Sequence, residues 1–217
     1  KLPATNPTQP YDQWVKKSIH SSFKKLKINK ADTVLVHNAK FLLDAKMGKK
    51  IYEELKKFKN KNIIKNIGVS IYSISDLKNI IKKFPMDVVL ISLNIFDQRI
   101  LNKKIINTLK KKNIKIYTRS TFLQGLLLMS KNKMPTKFNR WEKKFDMWFR
   151  ELENKKVSAY DACLDFVMKN KDVDKTLIGI DDFKQFKEIF KDKPKININY
   201  KKFNSNKINK LINPAKW

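Results

Sequence analysis

The chain has 217 residues, 41% of them hydrophobic, so it is long enough to bury the core of one full domain. Its formal net charge of +29 is typical of proteins that bind nucleic acid or an anionic membrane. Only four of the 49 basic residues are arginine, the residue best suited to bidentate phosphate and base recognition. The lysines are spread over the whole chain, which disfavours a specific nucleic-acid surface and is equally typical of a bias towards A/T-rich codons.

Cysteines and long apolar runs are scarce in the sequence. The single cysteine, Cys163, lies in an apolar helical pattern, so we expect a small buried side chain and no disulfide or metal site. No apolar run approaches the length of a membrane span and no signal peptide is visible, which predicts a cytoplasmic protein without a membrane partner. The start at Lys-Leu-Pro indicates a processed or incomplete N-terminus, and we expect a single domain over 1–217 with a basic C-terminal tail over 191–217.

Helical and strand patterns alternate along the chain. The first half predicts a helix from Pro10 to Leu26, a strand over 33–39, a helix from Ala45, a strand over 63–72, a helix capped by Ser75 and ended by Pro85, and a strand over 87–94. The second half predicts a helix over 101–109, a strand over 114–122, a long loop over 131–140, helices over 141–152 and 158–168, a strand over 176–180, a helix capped by Asp182, and a tail extended over the surface with a short helix near 208–212. The aromatic side chains of the 141–152 helix are expected in the core.

Four predicted strands end in polar residues at regular intervals. His37, Ser70, Asn94 and Ser120 are 33, 24 and 26 residues apart (70−37, 94−70, 120−94), the spacing of βα units in a parallel sheet or barrel. Five strands are clear, and Lys1-Leu2-Pro3 is a sixth if it ends one. An eight-stranded barrel takes about 250 residues, so we predict an α/β fold: an N-terminally incomplete (β/α)8 TIM barrel of about six βα units. A doubly wound sheet also fits the alternation, but the four glycines exclude a glycine-rich phosphate loop.

These strand ends resemble, in order and over nearly the whole chain, the aldo-keto reductase family. Leu35-Val36-His37-Asn38 is similar to the family's Leu-Leu-His motif at strand four, and the segment over 18–26 to its Ser-Leu-x-x-Leu helix. Residues 64–70 resemble its Lys-Ile-Arg-x-Ile-Gly-Val-Ser segment, and residues 87–99 its strand six with Asn94, Asp97 and Arg99. Residues 119–127 resemble strand seven, and 178–185 the strand-eight turn that holds the adenosine end of the cofactor.

The resemblance implies an oxidoreductase that transfers hydride between NADP or NAD and a small-molecule carbonyl or alcohol substrate, with a sugar-derived one among the candidates. In that family a tyrosine is the general acid, and an aspartate, a lysine and a histidine support it. By resemblance His37 orients the carbonyl, and Lys1 is the cation that lowers the tyrosine pKa towards the working pH. The cofactor-binding residues implied by the resemblance are Ser70, Asn94, Arg119, Ser120, Gly179, Asp181 and Gln185.

The sequence departs from the family pattern at the catalytic tyrosine and aspartate. Both belong to the second βα unit, and Tyr11 and Asp12 come after the lysine, in the wrong order. We therefore expect this chain alone to be inactive. Three cofactor contacts also differ: Leu90 replaces a glutamine, Ile71 an asparagine and Arg119 a tyrosine.

The strand-eight turn carries a further departure. Asp181 aligns with the family's arginine, a residue that favours the 2′-phosphate of NADP. A carboxylate repels that phosphate, so Asp181 favours NAD. The neighbouring lysines leave NADP open.

Two other classes of function remain alternatives at this stage. One is a non-catalytic remnant of the barrel, or a binding protein, that keeps the scaffold. The other is a basic nucleic-acid binder, for which affinity should fall steeply with salt. The coding sequence upstream of Lys1 separates the first from the enzyme, since an Asp followed closely by a Tyr in a strand-to-helix turn supports catalysis.

Overall fold

A computed structural model of the chain describes residues 1–5, 7, 10–192 and 194–217, apart from the side chain of Ala215. Lys193, within the predicted tail, lies outside these residues. The strands are β1 (Ala31–Val36), β2 (Ile64–Ile71), β3 (Val88–Ser92), β4 (Lys115–Arg119) and β5 (Lys175–Thr176). The helices are α1 (Tyr11–Leu26), α2 (Lys40–Leu43), α3 (Ala45–Asn60), α4 (Ile74–Lys83), α5 (Lys103–Lys111), α6 (Glu142–Lys155), α7 (Ala159–Met168), α8 (Phe183–Phe190) and α9 (Asn209–Ile212).

The five strands form one sheet in the order β1-β2-β3-β4-β5. Strand β2 lies parallel to β1 and β3, with Leu35 opposite Gly68 and Gly68 opposite Val88. A Cβ on Gly68 would lie 2.5 Å from Leu35 Cδ2 and 2.6 Å from the Val88 carbonyl oxygen. The glycine is therefore needed because its two neighbours fill the space on that face.

Contacts divide the chain into two compact units, the first made of 1–91 and 104–117 and the second of 92–103 and 118–217. In the first unit Leu35, Val88, Leu90 and Tyr117 form a buried cluster. Helix α1 turns its buried residues to one side of the helix, as its apolar spacing predicts. Pro10 is the residue before the helix, one position earlier than expected, and its carbonyl accepts from the Trp14 amide at 2.9 Å.

Four helices end in the same turn. Lys27, Asn62, Asn113 and Lys156 follow α1, α3, α5 and α6 with φ angles of 51–55°. In each case the next amide, from an Ile or Val, reaches back five residues to a carbonyl at 2.9–3.1 Å. This is the Schellman arrangement, whose left-handed residue is usually glycine.

The C-terminal segment is packed into the second unit. Ile196, Ile198, Tyr200, Phe203 and Leu211 are all less than a tenth exposed. The expectation of a tail extended over the surface is therefore wrong for these residues, whose apolar side chains are interspersed with the lysines and asparagines that suggested a solvated segment. The short helix expected near its end is present as α9.

Several boundaries differ from the predictions. Ser73, not Ser75, caps α4 and accepts from the Ser75 amide at 3.2 Å. The segment over 131–140, predicted as a loop, contains two 3-10 turns, Lys131–Lys133 and Thr136–Trp141. Strand β5 has two residues where five were predicted. Leu177 and Ile180 are 43% and 42% exposed, and among the described residues β5 is the last strand of the sheet, so one side of this apolar run is not covered by another strand there.

Candidate functional site

The residues predicted to be catalytic lie in the first unit. His37 directly follows β1 and is half-buried. The Leu2 amide donates to the Leu35 carbonyl at 2.9 Å, which places Lys1 beside the same strand end. Ser70, one residue from the end of β2, is 1% exposed, and its Oγ has no hydrogen-bond partner among the described residues.

The second unit contains a cavity of about 610 Å³ at the carboxyl ends of β4 and β5. Five of the seven residues predicted to bind the cofactor line it: Arg119, Ser120, Gly179, Asp181 and Gln185. The sequence places 58 or more residues between the two groups (179−121), and the pairing of the strands brings them together. The Leu177 amide donates to the Thr118 carbonyl at 2.8 Å, and the hydroxyls of Thr118 and Thr176 lie 2.9 Å apart.

One wall of the cavity, which follows β4, carries a cation and hydroxyls. Arg119 Nη1 donates to Ser120 Oγ at 3.2 Å, and Thr121 comes next in the lining. Asn94 holds this turn from beneath: its Nδ2 donates to the Ser120 carbonyl at 3.1 Å, and its Oδ1 accepts the amides of Phe96 and Asp97 at 3.0 and 2.9 Å. Because the Asn94 side chain is fully buried, it positions the cavity wall and does not reach the cavity.

The opposite wall is the turn that leads into α8. Asp182 Oδ1 accepts the Gln185 amide at 2.8 Å, and Gln185 Oε1 accepts the Asp181 amide at 3.0 Å. This reciprocal capping fixes the helix start. Gln185 is therefore already engaged in shaping the turn, and the exposed Asp181 carboxylate is the charged group on this wall.

The turn over 120–125 has an unusual backbone. Ser120, Leu123 and Gln124 have φ angles of 63°, 49° and 56°, and Gly125 has 82°. Non-glycine residues in this region cost about 1 kcal/mol or more each. Three such residues within five positions indicate that the shape of this turn is maintained at a cost in local stability.

Sequence reasoning assigned no role to nine of the fourteen described residues that line the cavity (14−5), among them Thr121, Phe122 and Tyr160. Phe122 and Tyr160 stack with ring centroids 5.1 Å apart, and burial, with nearby Glu188 and Asp161, raises the pKa of the Tyr160 phenol. Thr121 is 3% exposed. Nothing in the sequence distinguished Thr121 from an ordinary turn residue, and the Tyr160 contact joins segments 38 residues apart (160−122).

Comparisons with known proteins decide the family. The sequence model described as "Aldo/keto reductase family" matches residues 1–209. The chain belongs to the aldo/keto reductase family. No protein among curated ones matches the sequence.

Solved aldo-keto reductases have the same fold. They include the aldo-keto reductase AKR11C1 from Bacillus halodurans, whose holo form has a TM-score of 0.64 at 14% identity, with 83% of this chain and 61% of that chain covered. The glycerol dehydrogenase AKR11B4 from Gluconobacter oxydans has a TM-score of 0.58 at 17% identity, with 82% and 62% covered. The chain thus spans about three fifths of the length of these reductases. The predicted α/β fold of the reductase barrel is confirmed.

Other expectations can be compared with the described residues. Cys163 is fully buried, as predicted, and burial raises the pKa of its thiol. Phe145 and Trp148 are in the core as expected, whereas Trp141 and Phe149 are only half-buried. Within the part of the chain that the structure describes, no helix is long and apolar enough to cross a membrane and no cluster of metal-ligating side chains occurs.

Proposed function

We propose that this protein is an NAD(P)-dependent oxidoreductase that transfers hydride between NADP or NAD and a small-molecule carbonyl or alcohol, with a sugar-derived substrate among the candidates. The observation that carries the proposal is the cavity at the ends of β4 and β5, which gathers five of the seven residues expected to bind the cofactor. We also propose a single domain over 1–217, a cytoplasmic location and no specific nucleic-acid partner; the scattering of the lysines supports the last point.

The two walls of the cavity suit the adenosine diphosphate part of a dinucleotide. Arg119 and the hydroxyl of Ser120 would hold phosphate oxygens, since a guanidinium and hydroxyl donors suit an anion. Asp181 would accept from a ribose hydroxyl, and Gly179 would let the ligand approach the backbone, because a Cβ there would meet nothing within 4 Å. When bound, the dinucleotide supplies the hydride.

In the first unit, His37 is proposed to orient the substrate carbonyl and Lys1 to be the catalytic lysine. Ser70 is proposed as a hydrogen-bond donor to the cofactor, because its buried Oγ has no partner among the described residues. Asn94 is proposed to act through Ser120, whose carbonyl it holds.

The 217-residue chain is proposed to bind the cofactor but not to reduce carbonyls by itself. No residue of the chain matches the family's tyrosine and aspartate, and Tyr11 and Asp12 lie in the first turn of α1. Robust oxidation of NADH or NADPH by the purified chain with a panel of aldehydes would contradict this proposal. Binding of the cofactor without turnover is also what a non-catalytic binding protein predicts, so catalysis is proposed only together with a tyrosine and an aspartate in the family's positions.

Cofactor choice is tested by titrating the chain with NADH and NADPH and following nucleotide fluorescence. We expect NADH to bind more tightly, and Asp181→Asn to improve NADPH binding relative to NADH by about fivefold, since removing one adjacent like charge relieves about 1 kcal/mol. Glu188→Gln is the matched control. It also removes one negative charge, but Glu188 lies in α8 and does not line the cavity. Equal binding ratios in all three proteins would refute the role of Asp181, and absence of binding would refute the cofactor site.

A further inference from the structure

Thr121 is a buried polar residue whose hydroxyl is not used within the described residues. The side chain is 3% exposed and lines the cavity, and its Oγ1 has no hydrogen-bond partner among those residues. Buried hydroxyls are almost always paired, and an unpaired one carries the full cost of its lost hydration. A position that retains such a cost is a candidate for contact with a ligand.

Thr118, a nearby threonine near the end of β4, has a buried hydroxyl that is hydrogen-bonded. Thr118 is fully buried, and its Oγ1 lies 2.9 Å from Thr176 Oγ1. Thr118 holds β4 to β5 and does not line the cavity. The two threonines are three residues apart (121−118). The hydroxyl of Thr118 has a hydrogen-bond partner in the protein, and that of Thr121 has none among the described residues.

The surroundings of Thr121 specify the kind of acceptor. Arg119 and Ser120 lie on the same wall, and the carboxylate in the lining, that of Asp181, belongs to the opposite turn. An acceptor placed between a guanidinium and two hydroxyls is most stable when it is anionic. Among the described lining residues there is no lysine, so the anion would be held by this small set of donors and not by a diffuse positive surface.

We propose that Thr121 Oγ1 donates a hydrogen bond to a phosphate oxygen of the bound dinucleotide. The inference rests on the proposed function and adds a residue that the family resemblance did not assign. The Thr121 hydroxyl is buried, and a rotation about χ1 between staggered positions exchanges it with the methyl group on the same carbon. Thr121 is thus a specificity residue for a phosphate-containing ligand.

The test measures thermal stability and nucleotide affinity, which the substitution Thr121→Val should change in opposite directions. In the 217-residue chain, Thr121→Val removes the unpaired hydroxyl and keeps the shape, so Tm should rise by roughly 2–6 °C. The same substitution should weaken binding of NADH and of ADP by about tenfold or more, because a hydrogen bond to a charged acceptor is lost. Thr121→Ser keeps the hydroxyl and should bind within about threefold of the wild type.

Thr118→Val is the matched control. It removes the bond to Thr176, so Tm should fall. The backbone bond from the Leu177 amide to the Thr118 carbonyl still pairs the two strands, so the affinity for NADH and ADP should stay within about threefold of the wild type. If Thr121→Val lowers Tm, or raises it without weakening nucleotide binding, the role of Thr121 is refuted while the cofactor site stands. If the wild-type chain binds neither NADH nor ADP, the proposed function and this inference both fail.

Discussion

Gly68 is the residue at which the sheet has least room. Its neighbours on β1 and β3 would meet a Cβ at 2.5 and 2.6 Å, and the second of these contacts is with a backbone oxygen that cannot rotate away. Any side chain here must push β2 and β3 apart. The requirement comes from packing, and no left-handed backbone angle is involved.

Gly68→Ala should lower the free energy of unfolding by about 2 kcal/mol or more, the cost of overpacking a tight core. Urea denaturation followed by circular dichroism measures the change. Gly179→Ala is the control, because a Cβ there meets nothing within 4 Å, and its unfolding curve should match that of the wild type. A Gly68→Ala chain of unchanged stability would show that the strands adjust more easily than these distances indicate.

At the scale of single elements, the four Schellman turns share one departure from the common pattern. Lysine or asparagine occupies the left-handed position in all four, in a chain with only four glycines. Each turn is held by its two backbone bonds and by the apolar residue that follows. The amides of Ile28, Ile63, Ile114 and Val157 all make the five-residue return bond.

Lys156→Gly should raise the free energy of unfolding by about 1 kcal/mol, since the exposed Lys156 has a φ angle of 51°. Lys155→Gly, one residue earlier and inside α6, should lower it by about 0.5–1 kcal/mol. Thermal melting of the two variants beside the wild type gives the comparison. Two shifts of the same sign would contradict the explanation.

Elements that depend on local patterns were predictable, and those that depend on distant partners were not. The apolar spacing of α1 and the cap at Asp182 are readable from nearby residues, and both are present. At α4, Ser73 and Ser75 are equally good caps by type, so the sequence alone does not choose between them. Strand β5 was overpredicted because an apolar run does not reveal whether a second strand lies beside it.

The residues of the candidate site likewise divide into those that the sequence predicts and those that it does not. Arg119, Ser120, Asp181 and Gln185 were identified because the family resemblance gives strand ends in order. Thr121 was not identified, because its significance lies in the absence of a hydrogen-bond partner within the described residues. That property exists only after the chain has folded.

At the scale of the whole molecule, exposed apolar surface is concentrated at one end of the strand order. Helix α8 has no buried residue among its described positions, and Phe183 and Phe190 are 68% and 72% exposed. Strand β5, just before it, is the last strand of the sheet. Aromatic surface beside an unpaired strand edge promotes association between molecules.

We therefore expect the purified 217-residue chain to aggregate as its concentration rises. At low concentration it should melt cooperatively, the condition under which Tm, urea denaturation and nucleotide binding are compared between variants. Light scattering over a concentration series measures the aggregation, and the double variant Phe183→Lys with Phe190→Lys should be less prone to it, because charge at an edge opposes association. A wild-type chain that stays monodisperse at high concentration would contradict the expectation.

The cavity lined by Arg119 and Asp181 contains no lysine among its described residues, although 45 of the 217 residues are lysines (49 basic residues minus four arginines). The chain's amines can therefore be modified chemically without modifying the cavity that is proposed to bind a dinucleotide. An acetylating reagent would neutralise most of the positive charge and leave the arginine untouched. Acetylated protein should lose its electrostatic attraction for polyanions such as heparin, while a dinucleotide seated in the cavity should still bind and so report on the pocket alone.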